Sequence, residues 1–261
     1  MFLATVVFYS SAYIQQTSPS SHNRRATWYY THRKIILSIQ YFFCSLLVLT
    51  SIKLFFDYGN QLENIPVWQY IIISFPIAGA IFYYGLPMRG LHKLSLRHTG
   101  WFKPFAIGLV WACVVTFYPI FFKQLASSTF RFELTNQVQF LFVRNFVFIS
   151  LLCILFDIKD YKDDYNKNVK TFVVRLGKNR TLAYIIIPLI LINGLLDFFY
   201  TDIYQPHFWT SIIAIIPSCL IFWISVSLLQ HKSIFYYLLK IDGMLIIKAA
   251  CDMIGFLIFK K

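Results

Sequence analysis

The chain has 261 residues, of which 58% are hydrophobic and only 13% are charged. Soluble domains usually carry about 25% charged residues, so a soluble protein of this composition would expose too much apolar surface to water. The formal net charge is +13. In so apolar a chain, this charge fits loops attracted to anionic lipid headgroups better than nucleic-acid binding. We therefore expect an integral membrane protein with no nucleic-acid partner.

Seven segments are long and apolar enough to cross about 30 Å of hydrocarbon. They are residues 35–56, 67–84, 104–122, 138–156, 182–200, 208–230 and 241–259. Their length favours helices, and the alternating pattern of a membrane barrel is missing. Residues 1–16 form an eighth apolar segment without a polar lead-in, so we expect its beginning, or a preceding helix, to lie outside this chain. The prediction is a single all-α domain over residues 1–261, a multi-pass transmembrane bundle of about eight spans.

The basic residues are distributed unevenly between the two sets of loops that the spans define. One set holds 17 of the 24, and the predicted active-site segments lie in it. These residues are Arg24, Arg25, Arg33, Lys34, Arg89, Lys93, Arg97, Lys103, Lys159, Lys162, Lys167, Lys170, Arg175, Lys178, Arg180, Lys232 and Lys240. Because cytoplasmic loops carry the excess of Lys and Arg, this face is predicted to be cytoplasmic.

An acid-rich segment, FDIKDYKDDYNKNVKTFVVRLGK, follows the span at 138–156. Asp157, Asp160 and Asp164 have the spacing D-x-x-D-x-x-x-D, which places three carboxylates on one face of a continuing helix. Carboxylates this close repel one another and favour a bound cation. Mg²⁺ suits them, since it is usually held by one or two carboxylates plus substrate phosphates. Alternatively, the segment is a solvated loop whose acids pair with the lysines between them.

A basic segment, YYGLPMRGLHKLSLRHTGWFKP, lies between two spans on the same side. Arg89, Lys93 and Arg97 recur every four residues and would share one face of a helix. Such a stretch either binds a diphosphate or lies on lipid headgroups. Acidic and basic segments on one side of an apolar bundle form the layout expected for a metal-held diphosphate at the mouth of a pocket for a prenyl tail.

The two segments resemble motifs of the UbiA superfamily of intramembrane prenyltransferases, whose members have nine helices and two Asp-rich motifs. DIKDYKDD followed by KTFVVRLG resembles the second motif with its trailing T-x-x-V-x-L-G. YYGLPMRGLHK resembles the Y-x-x-x-P-x-R-L-K stretch of the family, with Tyr83, Arg89 and Lys93 in matching places. If residues 1–16 are the second helix of the family, the resemblance covers nearly the whole chain and the first helix is missing.

The resemblance implies transfer of a prenyl group from a prenyl diphosphate to an aromatic or other lipophilic acceptor within the membrane. It implies that Asp157, Asp160 and Asp164 are catalytic and hold Mg²⁺, the cofactor, which neutralises the leaving diphosphate. The residues that would bind the substrate diphosphate are Tyr83, Arg89 and Lys93.

The first Asp-rich motif of the family has no counterpart here. It should lie near FYSSAYIQQTSPSSHNRR, and no Asp or Glu precedes Asp57. In the best register Ser10, Tyr13 and Thr17 stand where carboxylates belong, and neutral hydroxyls are poor Mg²⁺ ligands. This departure supports the alternative of a non-catalytic relative that binds prenyl lipid or a membrane partner. A transporter would show broken helices or an internal repeat, and the sequence has neither.

A few charged residues lie within the predicted spans. Lys248 and Asp252 are four residues apart in the last span, so we expect them to form a local ion pair. Arg144 lies in the span that leads to the acid-rich segment. Intramembrane charge is costly and often functional, yet the sequence assigns Arg144 no role.

The loop charges generate a test of orientation. Cysteine substitutions at Ser95 and Asn166 should be shielded from an impermeant thiol reagent applied outside intact cells, because these loops are predicted to face the cytoplasm. Substitutions at Asn60 and Gln205, in loops on the opposite face, should label readily. Labelling of the first pair and protection of the second would reverse the orientation.

Overall fold

A computed structural model describes residues 3–7, 10, 24–63, 65–84, 100–126, 133–166, 168–230 and 232–259. These described residues are mainly helical and include no strand. The prediction of an all-α bundle is therefore confirmed.

The helices follow one another closely along the chain. They are α1 (3–7), α2 (Arg24–Thr31), α3 (Arg33–Glu63), α4 (Val67–Tyr84), α5 (Lys103–Leu125), α6 (Asn136–Lys159), α7 (Tyr161–Asn166), α8 (Phe172–Leu176), α9 (Lys178–Thr181), α10 (Ile187–Tyr204), α11 (Phe208–Ser227), α12 (Ile234–Lys240) and α13 (Gly243–Phe259). A 3₁₀ turn at Gly100–Phe102 precedes α5, and a π-helical turn at Leu182–Ile186 joins α9 to α10.

Five helical stretches in the described part are long and apolar enough to cross a membrane. They cover residues 33–62, 100–125, 136–159, 178–204 and 208–227. Four of them contain a whole predicted span, and the fifth, 208–227, ends three residues before the end of the predicted span 208–230. The total of about eight spans stays a prediction, as does the single domain.

The chain divides into two compact units by its internal packing. One contains the described residues of 1–66 and 125–130, and the other those of 67–124 and 131–261. In the first, the Gln40 side chain on α3 donates to the Val7 carbonyl of α1 at 3.2 Å. Large apolar side chains along α3 are exposed, Tyr41, Phe55 and Phe56 among them. Such a helix surface is suited to lipid rather than water.

The core of the second unit is centred on α6, α10 and α11. Leu151, Ile154 and Leu155 on α6 are fully buried, as are Ile186 at the end of the π turn and Ile221 on α11. Leu151 lies three and four residues before Ile154 and Leu155, so these side chains form one continuous stripe on that helix. Helix α6 is thus the central helix of this core.

A buried ionic cluster ties four helices of this unit together. The Asp197 carboxylate on α10 accepts from Arg144 on α6 and from Lys248 on α13, the latter at 2.7 Å. Its other oxygen accepts from Asn193 on α10 at 2.8 Å and from Ser218 on α11 at 3.5 Å. Asp197 is fully buried. Four side chains thus satisfy one carboxylate where water has no access.

The last span does not contain the predicted local pair. Lys248 pairs with Asp197, whereas Asp252 accepts from the Arg144 Nη2 at 2.5 Å. The prediction was wrong because spacing along one helix says nothing about stronger partners on neighbouring helices. The cluster balances two cations, Arg144 and Lys248, with two carboxylates, of which Asp197 is buried and Asp252 is 36% exposed, so the cluster as a whole carries no net charge.

Asp197→Asn should destabilise the protein, because it leaves two buried cations with only one carboxylate. Removing one partner from a buried pair costs about 3–5 kcal/mol, which should lower the unfolding temperature in detergent. The matched control is Asp202→Asn, an exposed position on the same helix, which should unfold like the wild type.

Adding Lys248→Met to Asp197→Asn should recover part of the loss, since charge balance returns. Equal unfolding temperatures for Asp197→Asn and Asp202→Asn would show that the cluster contributes nothing to stability.

Candidate active site at the end of helix α6

The candidate site begins with Asp157, in the last turn of α6. This residue is only 2% exposed, although it carries a carboxylate. Its neighbours Leu155 and Ile158 are buried in the apolar core. The buried stripe of α6 therefore continues to the start of the acid-rich segment. As a result Asp157, the first acid of that segment, is buried as well.

Close packing of α5 on α6 determines what lies beside Asp157. A Cβ on Gly108 of α5 would lie 2.1 Å from the Ser150 Oγ and 3.1 Å from the Ser150 backbone nitrogen. Only glycine allows this approach. Further along the same pair of helices, Asn145 donates to the Thr116 hydroxyl at 2.9 Å. Helices α5 and α6 are therefore antiparallel, with the start of α5 beside the end of α6.

A second close approach fixes the start of α5. Gly100 has a φ of +48°, and a Cβ there would lie 2.4 Å from the Lys170 carbonyl oxygen. Both the left-handed conformation and the contact require glycine. The turn before α5 thus lies directly against the segment that follows the acid-rich motif.

Lys103, the first residue of α5, forms an ion pair with Asp157. Its Nζ lies 3.1 Å from the Asp157 Oδ1, and the two side chains are 17% and 3% exposed. The remaining oxygen of Asp157, Oδ2, is buried and has no hydrogen-bond partner within the described part of the chain. Such an atom is costly unless a ligand, an ion or a water molecule completes it.

The other two predicted acids lie near Asp157. Their carboxylates act electrostatically on Asp157, Asp164 more than Asp160. Asp164 is also buried, at 9% exposure. Asp160 is more open and pairs with Lys159 at 3.3 Å. The loop interpretation, in which the acids pair with neighbouring lysines, thus describes Asp160 but not Asp157.

The segment is not the continuous helix that the spacing predicted. Helix α6 ends at Lys159, Asp160 is its C-terminal cap, and α7 begins at Tyr161. The amide of Asp164 still donates to the Asp160 carbonyl at 2.8 Å. The turn is therefore preserved across the junction, and the three acids stay near one another.

Helix α12 contributes a tyrosine to the surroundings of Asp160. Burial raises the pKa of the Tyr237 hydroxyl, and the Asp160 carboxylate raises it further. Tyr237 therefore remains protonated and neutral across the physiological range, where it is able to donate a hydrogen bond.

The residues that follow the acids, Thr171 to Gly177, form the short helix α8 and its two caps. Thr171 caps α8 by accepting from the Val174 amide at 3.4 Å, and Val173 is fully buried. Gly177 ends α8 with a φ of +79°, a conformation that favours glycine. The Thr181 hydroxyl donates to the Gly177 carbonyl at 2.8 Å. Helix α8 packs against α6 and α7, the helices that carry Asp157 and Asp164.

The predicted diphosphate-binding residues lie mostly outside the described residues. Arg89 and Lys93 belong to the stretch 85–99, and the backbone of Tyr83 lies in the last turn of α4. The side chain of Asp163 is likewise outside them. Tyr13 and Thr17, from the best register of the first motif, lie there too. Predictions about these side chains stay predictions.

The ligand atoms of the site are too few to coordinate a metal ion by themselves. They fit a metal ion whose coordination is completed by the substrate. Among the described residues, no three His, Cys, Asp or Glu side chains are gathered closely enough to hold a metal. The site instead offers the partnerless Oδ2 of Asp157 and the nearby Asp164 carboxylate. Mg²⁺ commonly takes one or two carboxylates and completes its shell with phosphate oxygens and water.

Comparison of the chain with protein-family models, curated proteins and solved structures finds no match.

Gly108→Ala should loosen the junction that places Lys103 beside Asp157. The added Cβ overlaps Ser150, and overpacking of this kind costs about 1–3 kcal/mol, so the unfolding temperature in detergent should fall. Gly59→Ala is the control, because nothing lies within 4 Å of its Cβ. It should be neutral or slightly stabilising. A Gly108→Ala protein as stable as the control would contradict the close approach.

Proposed function

We propose that the protein transfers a prenyl group from a prenyl diphosphate to an aromatic or other lipophilic acceptor within the membrane. The observation that carries the proposal is the buried Asp157, which has one oxygen paired to Lys103 and the other without a partner. It lies where an apolar bundle meets a charged segment. Such a boundary suits a substrate with an apolar tail and an anionic head. The resemblance of the acid-rich and basic segments to the UbiA superfamily supports the same proposal.

In the proposed reaction, the bond between the first prenyl carbon and the diphosphate oxygen breaks. The diphosphate leaves with the electron pair, and the allylic cation forms a bond to the acceptor, which releases a proton. Mg²⁺, when bound, supplies positive charge to the leaving diphosphate. Asp157 and Asp164 position that charge, and Arg89 and Lys93 add cationic groups from the basic segment. Aromatic side chains stabilise an allylic cation through their π faces.

We also propose the membrane arrangement that this reaction needs. The protein spans the cytoplasmic membrane several times, and the segments at 85–103 and 157–181 face the cytoplasm. The excess of basic residues in these loops supports the orientation. The diphosphate group of the substrate would then enter the site from the cytoplasm, and its prenyl tail would enter from the lipid.

The absence of any acid before Asp57 favours a second candidate function. The chain then binds prenyl lipid without turning it over. Binding and turnover must accordingly be measured separately.

Binding of a prenyl diphosphate in the presence of Mg²⁺ should fall at least about tenfold in Asp157→Asn and Asp164→Asn, because each loses a metal ligand. Asp160→Ala should lose less, since Asp160 is more exposed and pairs with Lys159. Asp163→Ala, rotated about 100° from Asp164 on the helix, should lose least. Unfolding temperatures would confirm that each variant is folded.

Turnover is assayed with a labelled prenyl diphosphate and lipophilic acceptors. Graded binding without turnover for any acceptor would favour the second candidate. Binding that needs no metal and is unchanged in all four variants would overturn both.

A further inference from the structure

We propose that the Lys103 ammonium is a built-in cation of the diphosphate site and stands in for a second metal ion. This inference rests on the proposed function and concerns how the leaving diphosphate is neutralised.

The first support is the difference between the two carboxylate oxygens of Asp157. Its Oδ1 accepts from Lys103 at 3.1 Å, while its buried Oδ2 is left without a partner in the described part of the chain. One oxygen of this carboxylate therefore holds the ammonium, and the other would be available to hold a metal ion. The metal and the ammonium repel each other until an anion bridges them. A diphosphate provides that bridge, so metal and substrate should bind together.

The second support concerns the carboxylates that a second metal ion would need as ligands. A second Mg²⁺ would need carboxylates of its own, and no Asp or Glu occurs in the first 56 residues. A lysine delivers positive charge to a phosphate without drawing on further acids.

The rigidity of the start of α5 is the third support. Lys103 follows a turn that lies against Lys170 through Gly100, and its helix lies against α6 through Gly108. These two contacts fix the backbone of Lys103 relative to Asp157. Its side chain is more exposed than that of Asp157, at 17% against 3%, so Lys103 is the more accessible partner of the pair. A cation held there costs little reorganisation when the diphosphate arrives.

The test compares Lys103→Met and Lys103→Arg with Lys162→Met, which removes an exposed lysine from nearby α7. The probes are Mn²⁺, followed by electron paramagnetic resonance, and a non-hydrolysable prenyl diphosphate analogue. The wild type should bind one Mn²⁺ per bound analogue.

Lys103→Met should weaken analogue binding about 10- to 100-fold, the effect of losing one charge-assisted hydrogen bond. In the absence of analogue it should bind Mn²⁺ about tenfold more tightly than the wild type, because the competing ammonium is gone. Lys103→Arg should recover most of the analogue affinity, and Lys162→Met should behave like the wild type. A general folding defect would weaken both kinds of binding, so the opposite signs separate it from the proposed role. If Lys103→Met proves unfolded, the Mn²⁺ stoichiometry of the wild type and of Lys103→Arg decides.

Two Mn²⁺ ions per analogue in the wild type would overturn this inference and leave the proposed function standing. Analogue affinity that is unchanged in folded Lys103→Met would do the same. A wild-type protein that binds no analogue at any Mn²⁺ concentration would overturn the proposed function, and this inference with it.

Discussion

One buried carboxylate organises the larger packing unit. Asp197 gathers Arg144, Lys248, Asn193 and Ser218, which come from four helices. Between apolar helices in lipid the hydrophobic effect provides little driving force, so packing and polar contacts must specify which helices meet and in what register. A charge cluster with no net charge does this well, because every alternative packing leaves an ion unpaired in a medium that does not solvate it.

The two polar regions on α6 are built on opposite principles. Arg144 lies 13 residues before Asp157, which is about 20 Å along the helix. At Arg144, Nε and Nη2 both reach carboxylates, and the guanidinium also lies 5.0 Å from the centre of the Tyr200 ring. At Asp157, one oxygen is paired and the other is not. In the first region every charged group is paired, although the Oδ1 of the neighbouring Asn193 has no partner in the described part of the chain. Paired charges stabilise one structure, whereas a carboxylate with an unpaired oxygen retains affinity for a ligand. The first therefore suits a structural role and the second a binding role.

The helices were largely predictable from the sequence, while the partners of the charged residues were not. Long apolar runs identify spans by length alone, and helices cover most of each run, although α11 ends at Ser227 and α13 begins at Gly243. Spacing predicted that Asp157, Asp160 and Asp164 share one helical face, but the helix is interrupted at Asp160 and the three acids do not form a group close enough to hold a metal. Asp197 was missed, although charge balance within the spans pointed to it, since Arg144 and Lys248 outnumber Asp252. The ion pair of Lys103 with Asp157 had no local signal in the sequence. It depends on how closely α5 approaches α6 at Gly108, and a glycine at such a contact cannot be told from any other glycine in an apolar run.

The π-helical turn at Leu182–Ile186 has a consequence for how the protein is able to change over evolutionary time. A π turn corresponds to one inserted residue in an α-helix, so it shifts the rotational phase of α10 by about 100° relative to α9. Thr181, which precedes the turn, and the face of α10 that bears Asn193 and Asp197 are thus not bound to a common helical repeat. Side chains before the turn are therefore able to change without rotating the charged face that holds the bundle together.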